Sequence, residues 1–516
     1  MIKEVEIVCQ PGQHQDEDAI KGLAAAAVKT APKNITAVKI LKRSIDARGR
    51  KVVYRMQVRV YINEPAPQEH HVVKYPNISL AKPVIIVGAG PAGLFAALQC
   101  IKQGLKPIVL ERGKDVKQRR RDLANINKQG LINPESNYCF GEGGAGTYSD
   151  GKLYTRSTKR GDVNEALKVF TDHGATEDIL VDARPHIGTN KLPQIITAIR
   201  ETIQNAGGEV RFDTKVTRLI VSFDKIKGAE LAGGEKVMAD ALILATGHSA
   251  RDVFEMLHHQ HILIEAKPFA LGVRIEHPQE VIDQAQYKCA DRGPYLPPSY
   301  YSLVEQVDGR GVFSFCMCPG GIIAPCATDF NEIVVNGWSP SKRNNPYANS
   351  GTVVQINLED VPGKEGDPFR LLNFQKQVEL AAYQHGGGNL VAPAQRMVDF
   401  VEGRVSRDLP VNSYLPGTKS IGLKEVLPKF VHDSLKKALP VFGKKMKGYY
   451  TNEAILVGVE SRTSSPVKIP RDKETLQHPQ VGGLFPCGEG AGYAGGIISA
   501  AIDGINCADA AFKYLG

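Results

Sequence analysis

Four residues near the start of the chain have the types and the spacing that bind a dinucleotide. Gly88, Gly90 and Gly93 form a Gly-x-Gly-x-x-Gly pattern, and Glu111 follows them at about the distance of a ribose-binding acid. The first glycine permits a tight turn, the second lets the backbone approach a pyrophosphate, and the third lets a helix pack on a strand. Because the carboxylate of Glu111 accepts hydrogen bonds from ribose hydroxyls and repels a 2′-phosphate, the pattern predicts FAD or NAD rather than NADP.

These residues need a strand, a helix and a second strand to position them. The apolar run Val84 to Val87 predicts the first strand, an Ala- and Leu-rich run ending at Gly104 predicts the helix, and Ile108 to Leu110 predicts the second strand. The N-terminus of such a helix offers unpaired N–H groups and a partial positive charge to phosphates. A glycine motif alone is weak evidence, whereas this complete unit closing on an acid is specific.

Two further glycine-rich segments favour FAD over NAD. The loop from Gly141 to Lys152 has backbone N–H groups that can line a pyrophosphate and a ring system. Near the C-terminus, Gly488 and Glu489 lie between a strand and a small-residue helix predicted over Ala491 to Ile505. Glu489 there can bind a ribityl hydroxyl, and the helix N-terminus near Gly490 can stabilise negative charge on the flavin edge. An enzyme that binds only NAD needs no such C-terminal segment at its cofactor, so we predict one non-covalent FAD.

The chain resembles the FAD-dependent oxidoreductases of the glutathione-reductase-like superfamily in the motifs VGAGPAG, GEGGAGTYSDGKL, ATGHSARD and GEGAGYAGGIISAAIDG. The segments RPHIGTNKL, KPFALGVRIEHPQ, FCMCPGG, GGGNLVAPAQR and GVESRTSSPV are similar to a poorly characterised bacterial group within it, the FAD-dependent dehydrogenases with an extra N-terminal domain. Glu489 departs from the superfamily, which usually has Asp there. The motifs and the resemblance together predict these cofactor-binding residues: Gly88, Gly90, Pro91, Ala92, Gly93, Glu111, Arg112, Gly143, Gly144, Gly146, Thr147, Ser149, Gly151, Lys152, Val216, Ala245, Thr246, Gly247, Gly488, Glu489, Gly495, Gly496 and Ile497.

The resemblance implies an α/β fold with a Rossmann-like, glutathione-reductase-like FAD-binding domain. It also implies an inserted α+β substrate or cap domain and a small N-terminal α+β domain. Alternating apolar residues and an Ala-rich helix in the N-terminal segment predict the second of these domains independently of the resemblance. The polar, Pro-bearing stretch from Asn63 to His71 predicts a linker. The predicted boundaries are 1–76 for the N-terminal domain, 77–265 and 451–516 for the two parts of the FAD-binding domain, and 266–450 for the substrate or cap domain.

Four side chains are candidates for catalysis. Cys139 is adjacent to the loop expected at the flavin, and His248 follows Ala245-Thr246-Gly247 as a candidate proton donor or a helix cap. Glu460 and Arg462 end an apolar strand, where a structural salt bridge between them is the simpler interpretation. In the functional alternative, Arg462 holds a substrate carboxylate through two hydrogen bonds.

A second group of polar and sulfur-bearing residues is ambiguous. Cys316 and Cys318 lie in a predicted strand, where the period of two places both sulfurs on one face. Core packing is the favoured interpretation of the two thiols and a redox role is the alternative. Arg274, Glu276 and His277 form another polar cluster with the same ambiguity. No motif predicts a metal site.

Composition and charge define the class of protein. The 516 residues are 42% hydrophobic and 23% charged, which excludes overall disorder and a small disulfide scaffold. Nine scattered cysteines without a C-x-x-C pair indicate reduced thiols, and the first residues, MIKEVEIVCQ, have no apolar signal segment. The apolar stretch from Pro83 carries the glycine motif and does not predict a membrane span. We therefore expect a cytoplasmic protein without a membrane partner.

These observations predict an FAD-dependent oxidoreductase, a dehydrogenase or reductase that moves a hydride or two electrons to or from a small organic substrate. Since the chain shows no second dinucleotide unit, NAD(P)H or another electron donor is expected to bind transiently at the flavin. A net charge of +9 over this length does not demand a nucleic-acid partner. Two alternatives stay open, a non-catalytic FAD-binding sensor and an RNA-modifying flavoprotein. The latter would use the basic residues between Lys39 and Arg59, which otherwise protect an edge strand.

Overall fold

A computed structural model describes residues 1–67, 73–155 and 161–516, so part of the predicted linker from Asn63 to His71 lies outside the described residues. Within these ranges, none of the helices combines the length and the apolar composition that crossing a bilayer requires.

The helices are α1 (Glu17–Val28), α2 (Pro91–Lys102), α3 (Val116–Gln129), α4 (Val163–Asp172), α5 (Asp178–Val181), α6 (Leu192–Asn205), α7 (Arg251–His259), α8 (Gln279–Tyr287), α9 (Arg370–His385), α10 (Met397–Glu402), α11 (Lys429–Lys445) and α12 (Ile497–Leu515). The strands are β1 (Ile2–Cys9), β2 (Ile35–Asp46), β3 (Val53–Ile62), β4 (Pro83–Val87), β5 (Lys106–Leu110), β6 (Glu209–Arg211), β7 (Val216–Ser222), β8 (Lys225–Leu231), β9 (Lys236–Met238), β10 (Leu242–Leu244), β11 (Glu265–Ala266), β12 (Phe269–Pro278), β13 (Val304–Val307), β14 (Arg310–Cys318), β15 (Ile322–Pro325), β16 (Val335–Trp338), β17 (Tyr347–Ile356), β18 (Ala392–Arg396), β19 (Thr418–Ser420), β20 (Ile455–Glu460), β21 (Val467–Lys468) and β22 (Leu484–Pro486).

A parallel sheet of the order β22-β10-β4-β5-β6 carries the glycine motif. The strands β4, β10 and β22 are continuous apolar runs because both faces are covered. Val84 and Ile86 pack into the core that contains α2 and α12, whereas Ile85 and Val87 pack into a second core on the opposite face. The predicted strand, helix, strand unit is β4, α2 and β5. The mixed α/β fold with a parallel sheet is confirmed.

The last helix, α12, begins later than the sequence predicts. It starts at Ile497 after the N-cap residue Gly496, not at Ala491. Gly492 and Gly496 have φ values of 87° and 152°, which the right-handed helix excludes. The residues before Ile497 therefore form a glycine-rich loop, and the positive helix end lies farther along the chain than expected.

A larger, mostly antiparallel sheet has the order β13-β14-β17-β12-β20-β18-β19. β20 pairs antiparallel with β12 and β18 in this sheet. The predicted boundary assigns β20 to the FAD-binding part, 451–516. Its hydrogen bonds to β12 and β18 join it instead to the sheet of the preceding unit, 266–450. The chain returns to the parallel sheet after Glu460. Long strands such as β12, which is buried along nearly all its length, form the core of this part.

The N-terminal residues form a three-stranded antiparallel sheet, β1-β3-β2, covered by α1. Met56 and Val58 of β3 and Ala24 of α1 are buried in its core, which also includes Tyr287 and Leu296 from the later chain. The expected Ala-rich helix of this segment is α1. β7, β8 and β9 form a separate antiparallel sheet beside the parallel one.

Candidate functional site

A cavity of about 380 Å³ opens where four strands of the parallel sheet end. Val87, Leu110, Ala245 and Gly488, at or just beyond the carboxyl ends of β4, β5, β10 and β22, all line it. Open α/β sheets bind ligands in the crevice outside these strand ends. The opposite wall comes from the seven-stranded sheet and its neighbours, which contribute the residues Phe315, Cys316, Asn336, Arg462 and Thr463.

The three motif glycines have different surroundings. Gly88 has a φ of 104°, and an added Cβ would lie 2.5 Å from the carbonyl oxygen of Ala245. A Cβ on Gly93 would collide with the carbonyl oxygen of Gly88, so this glycine permits α2 to pack on β4. A Cβ on Gly90 would meet only the Cα of Gly144, at 3.9 Å. Gly90 therefore leaves open a cradle at the start of α2, which a larger residue would fill.

Glu111 connects the glycine turn to the second glycine-rich loop. Its Oε2 accepts from the backbone N–H of Ala89 at 2.8 Å, and its Oε1 accepts from Gly113 and Gly141 at 2.9 Å each. The residue is buried and lines the cavity. A carboxylate has about four acceptor positions. Glu111 thus fixes two loops and still has an acceptor position for a ribose hydroxyl.

The second loop is held from behind by a buried arginine that the sequence analysis missed. Arg119 of α3 is fully buried and donates to the carbonyl oxygens of Asn137, Tyr138 and Glu142 at 2.8 to 2.9 Å. An arginine in a strongly polar helix gives no sequence signal for such a role. Its contacts fix the path of the chain just before the loop enters the cavity.

Most predicted cofactor-binding residues line the cavity, and three do not. Gly93 lies behind the motif turn, Gly143 donates its N–H to the Ala89 carbonyl at 2.8 Å, and Thr147 donates its hydroxyl to the Glu142 carbonyl at 2.8 Å. These three residues shape the loops without facing the space between them. The predicted residues that do line the cavity are Gly88, Gly90, Pro91, Ala92, Glu111, Arg112, Gly144, Gly146, Ser149, Gly151, Lys152, Val216, Ala245, Thr246, Gly247, Gly488, Glu489, Gly495, Gly496 and Ile497.

Arg112 lines the cavity with a guanidinium that is already paired. It forms ion pairs with Glu135 at 2.6 Å and Asp252 at 2.8 Å, and it lies over the ring of Phe140 at 4.3 Å. Burial lowers its pKa, but the two carboxylates more than offset this and raise it. Arg112 is therefore a fixed, permanently charged part of the wall.

Arg462 belongs to a buried network of two arginines and two glutamates, which we call the charge network (Arg251, Arg462, Glu332 and Glu379). Arg462 contacts Glu332 at 2.6 Å and Glu379 at 3.1 Å, and Arg251 contacts the same two carboxylates at 3.1 and 2.7 Å. Burial raises the pKa of Glu379, but the two arginines outweigh it and lower the pKa to about 2. The expected salt bridge between Glu460 and Arg462 is wrong, because Arg462 lies beyond the end of β20 and turns to this network.

Glu460 instead pairs with Arg274 and does not line the cavity. Nη1 of Arg274 is 3.0 Å from both carboxylate oxygens of Glu460, and its Nε donates to Asn349 at 2.8 Å. The neighbours Glu276 and His277 have other partners. Glu276 Oε1 accepts the Ser413 N–H at 2.8 Å, and His277 Nε2 is 2.8 Å from the Tyr449 carbonyl oxygen. The predicted cluster of Arg274, Glu276 and His277 is thus three separate contacts.

His248 and Glu489 lie next to each other in the wall of the cavity. His248 Nε2 is 3.6 Å from Glu489 Oε2, and Nδ1 of His248 is buried without a partner among the described residues. Burial, followed by Arg462 and Arg251, lowers the pKa of His248 to about 4. Burial and then Cys316 raise the pKa of Glu489 to about 7. At neutral pH His248 is a neutral imidazole with one ring nitrogen available to a ligand.

Three sulfur atoms lie near or on the far wall. Cys139 lines the cavity, with its Sγ 4.0 Å from the carbonyl oxygen of Cys326. Cys316 also lines the cavity, which the favoured core interpretation does not anticipate, whereas Cys318 is fully buried. The pairing register of β14 shifts between Phe315 and Cys318, so a local irregularity rather than regular alternation determines where the thiols point.

Asn336 and Thr463 are cavity residues that the sequence analysis missed. Asn336 lies on β16, and Thr463 follows Arg462 after β20. Both are ordinary polar residues in segments without a motif, so the only available signal was the proximity of Thr463 to Arg462. Their position depends on how the larger sheet packs against the glycine-rich loops.

The residues present fit FAD. The open cradle at Gly90, the acceptor position on Glu111 and the Nδ1 of His248, which no described residue contacts by a hydrogen bond, lie around one cavity. Gly90 and Ala92 at the start of α2 would hold the pyrophosphate, Glu111 would hold the adenosine ribose, and Glu489 would hold a ribityl hydroxyl.

Comparisons with known proteins point to the same cofactor. Residues 268–463 match a family described as "FAD-dependent protein, C-terminal domain-like", residues 83–119 match an FAD binding domain, and residues 1–61 match a domain of unknown function. An uncharacterized protein of Clostridium beijerinckii is 41% identical over 496 residues, which cover 92% of each chain.

Similar solved structures are more distant. A geranylgeranyl bacteriochlorophyll reductase-like protein of Thermoplasma acidophilum is 14% identical, covers 84% of this chain and 79% of its own, and has a TM-score of 0.35. CtdE, solved in complex with FAD, is 13% identical, with coverage of 84% and 83% and a TM-score of 0.31.

Proposed function

We propose, from the premise that this chain belongs to a family of FAD-dependent proteins, that it is an oxidoreductase acting on a small organic substrate. The family follows from the clostridial relative and from the two FAD-related matches, and FAD is the cofactor. Bound FAD supplies hydride or two-electron chemistry. The chain's own residues bind it, orient a substrate and exclude water.

The observation that carries this proposal is the contrast between the two walls of one cavity. A purely structural FAD needs only the glycine-rich wall and the strand ends. The opposite wall presents Cys316, Asn336, Arg462 and Thr463, which are groups that hydrogen-bond or attract a substrate. Functional sites combine a mostly apolar cavity with a few such convergent polar groups.

The charged groups of this wall are fixed before any substrate arrives. Arg462 is held by Glu332, Glu379 and the hydroxyl of Thr328, which accepts from its Nη1 at 2.7 Å. A substrate carboxylate would therefore meet an arginine that is largely occupied. A neutral, hydrogen-bonding substrate suits the Nδ1 of His248 better, which has no partner among the described residues, and we assign His248 the role of a hydrogen-bonding or proton-accepting group.

We retain three finer assignments as part of the proposal. The parallel sheet and its loops are a glutathione-reductase-like FAD-binding domain, and the segment around the seven-stranded sheet is an inserted substrate or cap domain. NAD(P)H or another donor binds transiently, because the described residues contain one glycine motif placed between two parallel strands. The protein works in the cytoplasm, which its free cysteines support.

An anaerobic reduction screen tests the function. The purified yellow protein is mixed with NADH, NADPH and candidate substrates, and the flavin absorbance is followed before and after an electron acceptor is added. An oxidoreductase bleaches and recovers through many cycles. A sensor is reduced once and does not cycle, and that result would replace this proposal.

A further inference from the structure

Two thiols that share a lysine neighbour lie on the wall opposite the glycine-rich loops. Cys316 lines the cavity, and Cys318 is fully buried two residues later. Cys318 Sγ donates to the Cys316 carbonyl oxygen at 3.3 Å, and both sulfurs lie 4.0 Å from the Nζ of Lys152. A reachable thiol beside a shielded one is the arrangement of a reacting cysteine with its resolving partner.

The backbone is distorted at the reachable thiol. Cys316 has a φ of 48°, in the left-handed region that residues other than glycine seldom occupy. The same point of β14 interrupts its pairing with β17, since Phe315 pairs with Gly351 and the next paired residue is Cys318. Such irregularities re-aim a side chain near functional sites. Here the distortion directs Cys316 into the cavity.

A lysine from the glycine-rich loop lies between the two sulfurs. Lys152 Nζ is 4.0 Å from both Sγ atoms and also donates to the carbonyl oxygen of Met317. Arg274 approaches from the other side, with Nη2 3.5 Å from Cys318 Sγ and 2.7 Å from the Cys316 carbonyl oxygen. Cations next to a thiol favour its thiolate, the reactive form.

The electrostatics distinguish the two thiols. The hydrogen bond from Cys318, followed by Lys152 and Arg274, holds the pKa of Cys316 well below its usual range, although burial and Asp150 oppose this. The pKa of Cys318 is raised by its contact with Cys316 and by burial. These directions favour Cys316 over Cys318 as the reacting thiolate.

We propose that Cys316 and Cys318 form a redox-active dithiol that exchanges an electron pair with the flavin, with Lys152 as the positioning residue. In the forward step the thiolate of Cys316 and the thiol of Cys318 form one S–S bond as the Cys318 S–H bond breaks, and two electrons and that one proton pass to oxidised FAD. The reverse step returns them and restores the thiols. The inference rests on FAD occupying the cavity, and it adds a second redox centre to the proposed oxidoreductase.

The electron stoichiometry of the holoprotein tests this directly. The protein is oxidised with diamide, freed of reagent and titrated anaerobically with dithionite. We expect about four electrons per FAD in the wild type, two for each centre, and about two in Cys316→Ser and Cys318→Ser. Cys139→Ser removes the other cavity thiol as a matched control and keeps about four. Peptide mapping should find the Cys316 to Cys318 disulfide only after oxidation.

A wild type that takes up about two electrons per bound FAD and yields no such disulfide would overturn the dithiol. That outcome is distinguishable from failure of the proposed function, in which the flavin is present but no substrate cycles it. Substituting serine for cysteine preserves size, so flavin content serves as the check that each variant is folded.

The role of Lys152 has its own readout. In Lys152→Met the rate of Cys316 alkylation by iodoacetamide, followed by mass spectrometry at neutral pH, should fall roughly tenfold, whereas Lys152→Arg should retain most of it. Alkylation at the wild-type rate in Lys152→Met would show that the lysine does not stabilise the thiolate.

Discussion

The two walls of the cavity use different parts of the chain. On the side of the parallel sheet, glycines and backbone N–H groups form the surface, and Glu111 holds the loops by accepting three backbone N–H groups. On the opposite side, buried side chains form it, with the charge network and the Arg274–Glu460 pair behind the lining residues.

This difference indicates a division of labour. Backbone groups at strand ends and a helix N-terminus bind phosphates in many proteins and need few charged side chains. Buried ion pairs are a weak source of stability because of the cost of desolvation, so a wall that contains several of them holds charges in fixed places. We interpret the first wall as the cofactor side and the second as the reaction side.

The largest expected effect follows from removing one member of the charge network. Glu379→Ala leaves Arg251 and Arg462 with Glu332 as their only carboxylate partner among the described residues, and breaking a buried pair in this way costs about 3–5 kcal/mol. Urea denaturation measures the loss of unfolding free energy. Glu255→Ala is the control, because its pair with Lys376 is surface-exposed and worth less than about 1 kcal/mol. Equal effects of the two variants would contradict the network's role.

The same network predicts a pH dependence of stability. The pKa of Glu379 is lowered from 4.5 to about 2 in the folded protein, because the arginines outweigh burial. Its stabilising contribution is therefore complete above pH 4.5 and is lost as the pH falls towards 2. Wild type and Glu379→Ala should converge in stability over that range in acid denaturation, and a constant gap would be evidence against the assignment.

An intermediate effect is expected at the cofactor wall. Glu111→Ala removes the acceptor of Ala89, Gly113 and Gly141 as well as the expected ribose contact. Hydrogen bonds to a charged group are worth about 1.5–3 kcal/mol each, so FAD affinity should fall roughly tenfold or more. Flavin-fluorescence titration measures the affinity and thermal melting measures the accompanying loss of stability. Unchanged affinity would mean that the carboxylate serves only the loops.

A smaller effect is expected at Glu489. Burial raises its pKa from 4.5 to about 7 in the protein without flavin, so its folded form holds a proton that the unfolded form has lost. Stability of the apoprotein therefore falls as the pH rises through this range. Glu489→Gln should stabilise the apoprotein at pH values above 7 by roughly 1 kcal/mol, moderated by solvent in the cavity, and should be neutral below pH 4.5. Thermal melting of the wild-type and Glu489→Gln apoproteins above pH 7 and below pH 4.5 measures this difference in stability. A difference that does not change with pH would contradict the burial of this carboxyl.

The smallest expected effect concerns nucleic acid. Many of the basic residues between Lys39 and Arg59 are paired: Arg43 with Asp178 and Asp182, Arg48 with Asp46, Arg55 with Asp46 and Glu6, and Arg59 with Glu4. We expect weak binding of bulk tRNA that disappears as salt rises from roughly 50 to 200 mM, measured by fluorescence anisotropy.

A cleft that Arg48 helps to line contains further lysines, two of which we substitute in that experiment. Lys444 and Lys447 line it together with Arg48. Sub-micromolar binding at the higher salt that is lost in the double variant Lys444→Glu, Lys447→Glu would favour the RNA-modifying alternative.

The sequence predicts the cofactor wall far better than the reaction wall. Gly88, Gly90, Gly93 and Glu111 lie within one short unit, where local spacing determines the turn and the strand end. The start of α12 was missed because glycines with positive φ interrupt a run of small residues that otherwise favours a helix.

The reaction wall depends on contacts between distant segments. Lys152 and the cysteine pair are 164 and 166 positions apart, and Arg462 reaches Glu379 from 83 positions away. The sequence analysis therefore identified Cys316 and Arg462 as candidates without identifying their partners. Which side chains meet is decided by the pairing of β12 with β20 and by the packing of the larger sheet against the loops.

Flavin content after a single substitution tests the central claim most directly, that the open cradle at Gly90 holds the cofactor. Gly90→Val adds a branched side chain where the protein itself leaves space, so we expect a folded but colourless protein. Gly22→Val is the control, in α1, where an added Cβ meets nothing within 4 Å, and it should remain yellow with about one FAD per chain. A Gly90→Val protein with full flavin occupancy would contradict the placement of FAD in this cavity.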